Sequence, residues 1–88
     1  MKPRIVCAAM LMDDGLIVTG VRHYSPDMRK VLHRIYGDGY HLRVKEQGFI
    51  DTKGNFLERN AAWDIADEND QIIHGVGSLG TLYSENLY

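Results

Sequence analysis

A single cysteine, Cys7, excludes an internal disulfide, and its neighbours Ile5, Val6, Ala8 and Ala9 point to burial as a small hydrophobe in a reducing compartment. An excess of positive charge is also lacking: ten Lys/Arg against twelve Asp/Glu leave a formal charge of −2 and a pI near 6.0. Domains that neutralise nucleic-acid phosphates carry a clear basic excess, so duplex nucleic acid is not an expected partner, whereas a small anionic ligand is compatible with this balance. Long hydrophobic runs are missing as well. The apolar stretch IVCAAMLM stops at Asp13 and Asp14, which supports neither a signal peptide nor a membrane-spanning helix. His23, His33, His41 and His74 show no His-x-His or His-x-x-x-His spacing, and Asp64, Asp67, Glu68 and Asp70 lack the spacing of a calcium loop. No metal and no cofactor is therefore expected.

What is present fits one domain over residues 1–88. A chain of this size buries roughly 60 to 65% of its unfolded surface, and so small a core is often extended by a partner subunit, which makes a homo-oligomer, a dimer or higher, the expectation. Residues 4–12 and 16–21 are apolar runs joined by Asp13-Asp14-Gly15, and Asp-Gly between such runs predicts a hairpin. Continuous apolarity in the first run predicts a central strand covered on both faces, by a helix on one side and a subunit on the other. Ser25-Pro26-Asp27 reads as N-cap, first helical position and dipole-compensating acid. Met28, Val31, Leu32, Ile35 and Tyr36 then recur on one helical face, and Gly37 closes the helix.

Residues 40–45 read as a weak strand or extended linker, with Leu42 and Val44 alternating with charges. The stretch 46–71 organises the rest: a short strand at Phe49-Ile50, a turn over residues 51–54, and a helix over 57–69 with Leu57, Ala61, Ile65 and Ala66 as its apolar stripe. Asn55 and Glu58, in N-cap and N3 spacing, allow an earlier start. A glycine-rich loop over 74–80 is followed by an edge strand at Thr81-Leu82-Tyr83, and the tail over 82–88 carries Leu82, Tyr83, Leu87 and Tyr88, an apolar load that predicts packing rather than fraying. The fold class is α+β: a small antiparallel sheet built on an N-terminal hairpin, with two helices.

Arg22 and His23 precede a helix N-terminus, where free N–H groups, a Ser25 hydroxyl and an arginine suit a phosphate; the alternative is a capped helix with a solvated arginine. Phe49 and Trp63 are the aromatics suited to stacking on a base. Gly48 allows close approach beside Phe49, while Trp63, out of phase with its helix stripe, reads as packing or as a subunit contact. No nucleophile stands near a matched base, so no catalytic residue is assigned. Gly54 and Arg59 loosely evoke a Nudix box, but Asn60-Ala61-Ala62-Trp63-Asp64 lacks its consecutive glutamates.

The order Ala8-Ala9, Gly20-x-Arg22-His23, Gln47-Gly48-Phe49-x-Asp51, Gly54-x-Phe56-Leu57-x-Arg59-x-Ala61, Gln71-Ile72 and the closing Leu82-Tyr83-Ser84-Glu85-Asn86-Leu87-Tyr88 resembles a family of short proteins encoded by tailed phages. On this reading the family includes the Thoeris anti-defence sponges. The resemblance spans nearly the whole chain. It implies a non-enzymatic, oligomeric protein in the cytoplasm of an infected bacterium, sequestering a cyclic nucleotide signal, a cyclic ADP-ribose isomer or a cyclic oligonucleotide, without cleaving it. The residues implied as ligand contacts are Arg22, His23, Phe49, Arg59 and Asn60, with arginines on a pyrophosphate and Phe49 on adenine. At the head of the second helix the family pattern has Thr then Arg-Glu-Glu, and Glu58-Arg59-Asn60-Ala61 departs from it. The alternatives are an interaction module that inhibits a host protein and a small phosphoesterase.

Overall fold

The computed structural model describes residues 2–73, 81–83 and 86–87. Strand β1 (Ile5–Met12) turns back through Asp13-Asp14-Gly15 into β2 (Ile17–Gly20). Gly15 takes φ +91°, which only glycine adopts without strain, and the Asp14 carboxylate accepts from the Leu16 N–H. Helix α1 (Pro26–Tyr36) follows, then a 3-10 turn (Tyr40–Arg43), β3 (Val44–Asp51), β4 (Phe56–Glu58) and α2 (Arg59–Glu68). The strands form one antiparallel sheet in the order β2-β1-β3-β4, so β1 is central. The fold is α+β, a four-stranded antiparallel sheet on an N-terminal hairpin with two helices.

Cross-strand partners share a face, and the register puts Ala8 beside Gly20 and Phe49, and Met10 beside Val18. These positions, with Met12, form one buried cluster with Met28 and Leu32 of α1, Ala62 and Ala66 of α2, and Leu82. Both helices therefore lie on the same side of the sheet. The opposite side carries Cys7, Leu11, Ile17 and Ile50, only partly covered, and Val6 stands 47% exposed beside a register shift. A helical layer covers one face of β1, as its apolarity predicts; the second covering was expected from a subunit, and no subunit is part of the structure.

Several boundaries differ from the sequence reading. The weak strand over residues 40–45 is a 3-10 turn up to Arg43, and β3 begins at Val44 and runs through Phe49-Ile50 to Asp51. Leu57 belongs to β4, not to the second helix, because Phe56–Glu58 pair with Gly48, Phe49 and Ile50. Helix α2 starts at Arg59 with Glu58 as its N-cap, whose carboxylate accepts from the Ala61 N–H. That shift turns the buried stripe onto Ala62 and Ala66, with Ala61 and Ile65 half-buried. Trp63 is partly buried against the same cluster. On α1, Met28 and Leu32 are buried while Val31 and Ile35 remain 44% and 51% exposed, since a short β2 covers only part of the predicted face.

Thr81-Leu82-Tyr83 does not form a strand, yet it is held: Leu82 is fully buried, Asn86 is 5% exposed, and Leu87 packs on the core. The Ile73 N–H donates to the Asn86 carbonyl and the Tyr83 N–H to the Asn86 side-chain oxygen. The loop over 74–80, with His74, and Ser84, Glu85 and Tyr88 lie outside the described residues. Gln71 ties this end to the sheet, because its amide oxygen accepts from the Ile5 N–H and its amide nitrogen donates to the Ile5 carbonyl, both at 2.8 Å.

Candidate functional site

Small residues open the site. Ala8 and Gly20 stand side by side on the helical face of the sheet. A Cβ at Gly20 would lie 2.9 Å from Ser25 Oγ and 3.0 Å from Met28 Cβ, so the first turn of α1 sits directly on β2. The chain reaches α1 through a tight turn in which the Ser25 N–H donates to the Arg22 carbonyl and Tyr24 adopts φ +57°. A non-glycine residue there is strained by on the order of 1 kcal/mol or more. The turn lets His23 reach back across the sheet: its Nε2 lies 2.8 Å from the Gly48 carbonyl oxygen, and its ring meets Phe49 edge-on at 5.2 Å.

Arg59 comes to the same place from the first turn of α2. Its guanidinium donates to the Leu82 carbonyl at 2.8 Å and to Gln47 Oε1 at 3.0 Å, and it lies over the rings of Tyr83 at 4.7 Å and Phe49 at 5.9 Å. Its own carbonyl accepts from the Leu82 N–H. Arg59 thus clamps the C-terminal segment to β3 through charge-assisted hydrogen bonds and two cation–π contacts. Asn60, exposed on the next position, accepts from the Thr81 hydroxyl at 3.0 Å.

The structure brings His23, Phe49 and Arg59 together and sets Asn60 beside them on α2. Arg22 is half-buried in the turn next to His23. Phe49 differs from its expected setting: with no accessible surface, and with His23 perpendicular to it and Arg59 over its ring, it offers no open face for stacking. The exposed ring at this place is Tyr83, at 45%. Gln47 and Tyr83 were not among the expected contacts. The contiguous run 46–71 already sets Gln47-Gly48-Phe49 and Arg59-Asn60 on either side of one turn, able to face one pocket, and Gln47 does meet Arg59; the closure that brings Tyr83 there has no local signature.

The N-terminus of α1 is capped differently from the anion site read there. The Ser25 hydroxyl donates to the Asp27 carboxylate at 2.6 Å and makes no side-chain cap bond. This bond, the largest of several causes, holds Asp27 below the usual carboxylate range. Asp51, at the end of β3, is a buried carboxylate, accepting from the backbone N–H groups of Asn55 and Lys53 at 2.9 Å each. The Asn55 N–H is the chief reason its pKa is lowered. Burial pushes the Cys7 thiol up, the direction opposite to activation as a nucleophile. Among the described residues no group of three or more His, Cys, Asp or Glu is arranged to hold a metal ion, and no helix is long and apolar enough to cross a membrane.

The family model described as Phage T4 y16D protein matches residues 4–88. The chain belongs to the Phage T4 y16D protein family. No curated protein and no solved structure matches it. Membership carries a phage protein over nearly the whole chain, as the resemblance implied; a link to the Thoeris sponges is no part of the match. Several of the quoted motif residues have structural work in this fold: Gly20 under α1, Gly48 under Phe56, Arg59 in its clamp, and Gln71 on the backbone of Ile5 at the start of β1.

Proposed function

We propose that this phage protein binds a cyclic nucleotide immune signal, a cyclic ADP-ribose isomer or a cyclic oligonucleotide, and holds it uncleaved in the cytoplasm of the infected host as a homo-oligomer. The observation that carries the reading is the convergence of a cation, an imidazole and two rings at one place: Arg59 over Tyr83 and Phe49, with His23 against Phe49. Arginine recognises phosphate through paired N–H donors, and an exposed aromatic ring accepts a base. In this proposal Arg22 and Arg59 face the phosphates, His23 and Asn60 supply polar contacts, and the stacking expected of Phe49 passes to Tyr83, with Phe49 as the buried ring beneath the guanidinium. Calorimetry with cyclic ADP-ribose isomers and cyclic dinucleotides tests it. The expected result is binding that Arg22→Ala weakens about tenfold to a hundredfold, the loss of one charge-assisted contact, with the fold intact. Ligand recovered intact after denaturation separates a sponge from a phosphoesterase. No binding across the panel overturns the proposal.

A second reading, an interaction module that inhibits a host protein, is favoured by the partly covered side of the sheet, where Ile17 is 37% exposed, and by Val6 and Val21, 47% and 57% exposed. Retention of a host protein by the folded chain, lost in Ile17→Lys, is its distinguishing result.

A further inference from the structure

A second place has the makings of a ligand site, on the side of α1 turned away from the sheet. A groove of about 700 Å³ is lined there by Arg29, Lys30, Val31, His33, Arg34 and Tyr40. Its volume falls within the range of roughly 300 to 1,000 Å³ typical of small-molecule sites. The ion pairs of the described residues are His33–Asp38 and Arg43–Asp13, and neither involves Arg29, Lys30 or Arg34. The one carboxylate in the first turn of α1, Asp27, accepts from the Ser25 hydroxyl and interacts electrostatically with Lys30 of the groove, which leaves Arg29 and Arg34 to carry most of the unbalanced charge.

The ordinary explanation for cations on a helix is compensation of its dipole, and it covers His33 and Arg34 in the last turn of α1. It does not cover Arg29 and Lys30, which stand in the N-terminal half, where positive charge gains nothing from the dipole. Nor does a solvated surface of mixed charge describe this region. Residues 22–45 hold six of the ten Lys/Arg but two of the twelve Asp/Glu, in a chain whose formal charge is −2. Arg29 with His33, and Lys30 with Arg34, are four apart, so they make two adjacent rows on one helical face. Tyr40 and Val31, the latter 44% exposed, add an aromatic and an apolar wall to the same groove.

We propose that this groove binds a nucleotide carrying two or more phosphate groups, with the phosphates on Arg29, Lys30 and Arg34 and the base against Tyr40 and Val31. The site is independent of the one at Arg59. Calorimetry of the full chain at low salt, with ADP, pyrophosphate and adenosine as probes, tests it. ADP binds, pyrophosphate binds more weakly, adenosine binds at least about tenfold more weakly than ADP, and added salt weakens ADP binding by screening. The Arg29→Gln/Arg34→Gln double variant, changed only at exposed positions, keeps the parent melting temperature and loses at least about tenfold in ADP affinity. Lys53→Gln, at an exposed position outside both sites, leaves that affinity unchanged. Absence of ADP binding, equal binding by the double variant, or an equal loss in Lys53→Gln overturns the proposal. Poly-glutamate that competes as tightly as ADP also overturns it, in favour of an acidic protein partner. Cyclic nucleotide binding that responds to Arg22→Ala, with no ADP binding or with ADP binding unchanged in the double variant, leaves the reading at Arg59 standing while this one falls.

Discussion

Gly48→Ala tests the geometry on which the site at Arg59 depends. Gly48 lies in the middle of β3, between Ala9 on β1 and Glu58 on β4. A Cβ added there meets the Leu57 carbonyl oxygen and lies 2.6 Å from Phe56 Cζ, whose ring covers the glycine. Carbon atoms pack at about 3.5 to 4.0 Å, so the ring must retreat by about 1 Å, and the carbonyl, being backbone, retreats only if β4 does. Overpacking of this kind costs about 1 to 3 kcal/mol. β4 is three residues long, and each ladder bond that loosens costs about 1 kcal/mol more. Replacing glycine in the unfolded chain returns about 0.4 to 1 kcal/mol. The net expectation is a loss of about 2 kcal/mol, and at about 4 to 8 °C per kcal/mol for a domain of this size the melting temperature falls by roughly 8 to 16 °C. Circular dichroism on heating reads this directly. Gly39→Ala is the control, since a Cβ there meets nothing within 4 Å. A Gly48→Ala protein that melts within about 2 °C of the parent refutes the argument that β4, and with it the start of α2 at Arg59, is held by this close approach.

Three further outcomes follow from the packing. Leu82→Ala removes a side chain with no accessible surface and lowers stability by about 2 to 5 kcal/mol, measured by urea unfolding; a change under about 0.5 kcal/mol shows that the C-terminal segment adds no packing. Asp51 has a folded pKa below its unfolded value, so its contribution is present above the unfolded pKa near 4 and is lost as pH falls through the folded value. Asp51→Asn therefore melts lower than the parent at pH 7, and the gap narrows below about pH 4; a gap independent of pH sinks this assignment. In light scattering at micromolar concentration the protein runs as a dimer or larger, and Ile17→Lys on the partly covered side of the sheet dissociates it; a parent of 10.0 kDa removes the oligomer proposal.

Local chemistry determined the elements with strong punctuation. Asp13-Asp14-Gly15 between apolar runs specifies the hairpin, because the turn needs a glycine at positive φ. Ser25-Pro26 and Gly37 bound α1 within a residue of its observed ends. The continuous apolarity of residues 5–12 placed β1 at the centre of the sheet. The sequence also held the tail's tendency to pack, since Leu82 and Leu87 have nowhere apolar to go but the core. What tertiary structure decided was pairing between segments distant in sequence. Phe56–Glu58 is too short to announce a strand, and it is one because β3 offers it a ladder. That pairing ends the extended backbone at Glu58 and so sets the phase of α2, turning Ala62 and Ala66 inward. It also decided the fate of Phe49: an aromatic beside a glycine is compatible with an open stacking ring or a covered one, and only the return of His23 across Ala8 and the clamp of Arg59 on Leu82 and Gln47 close it.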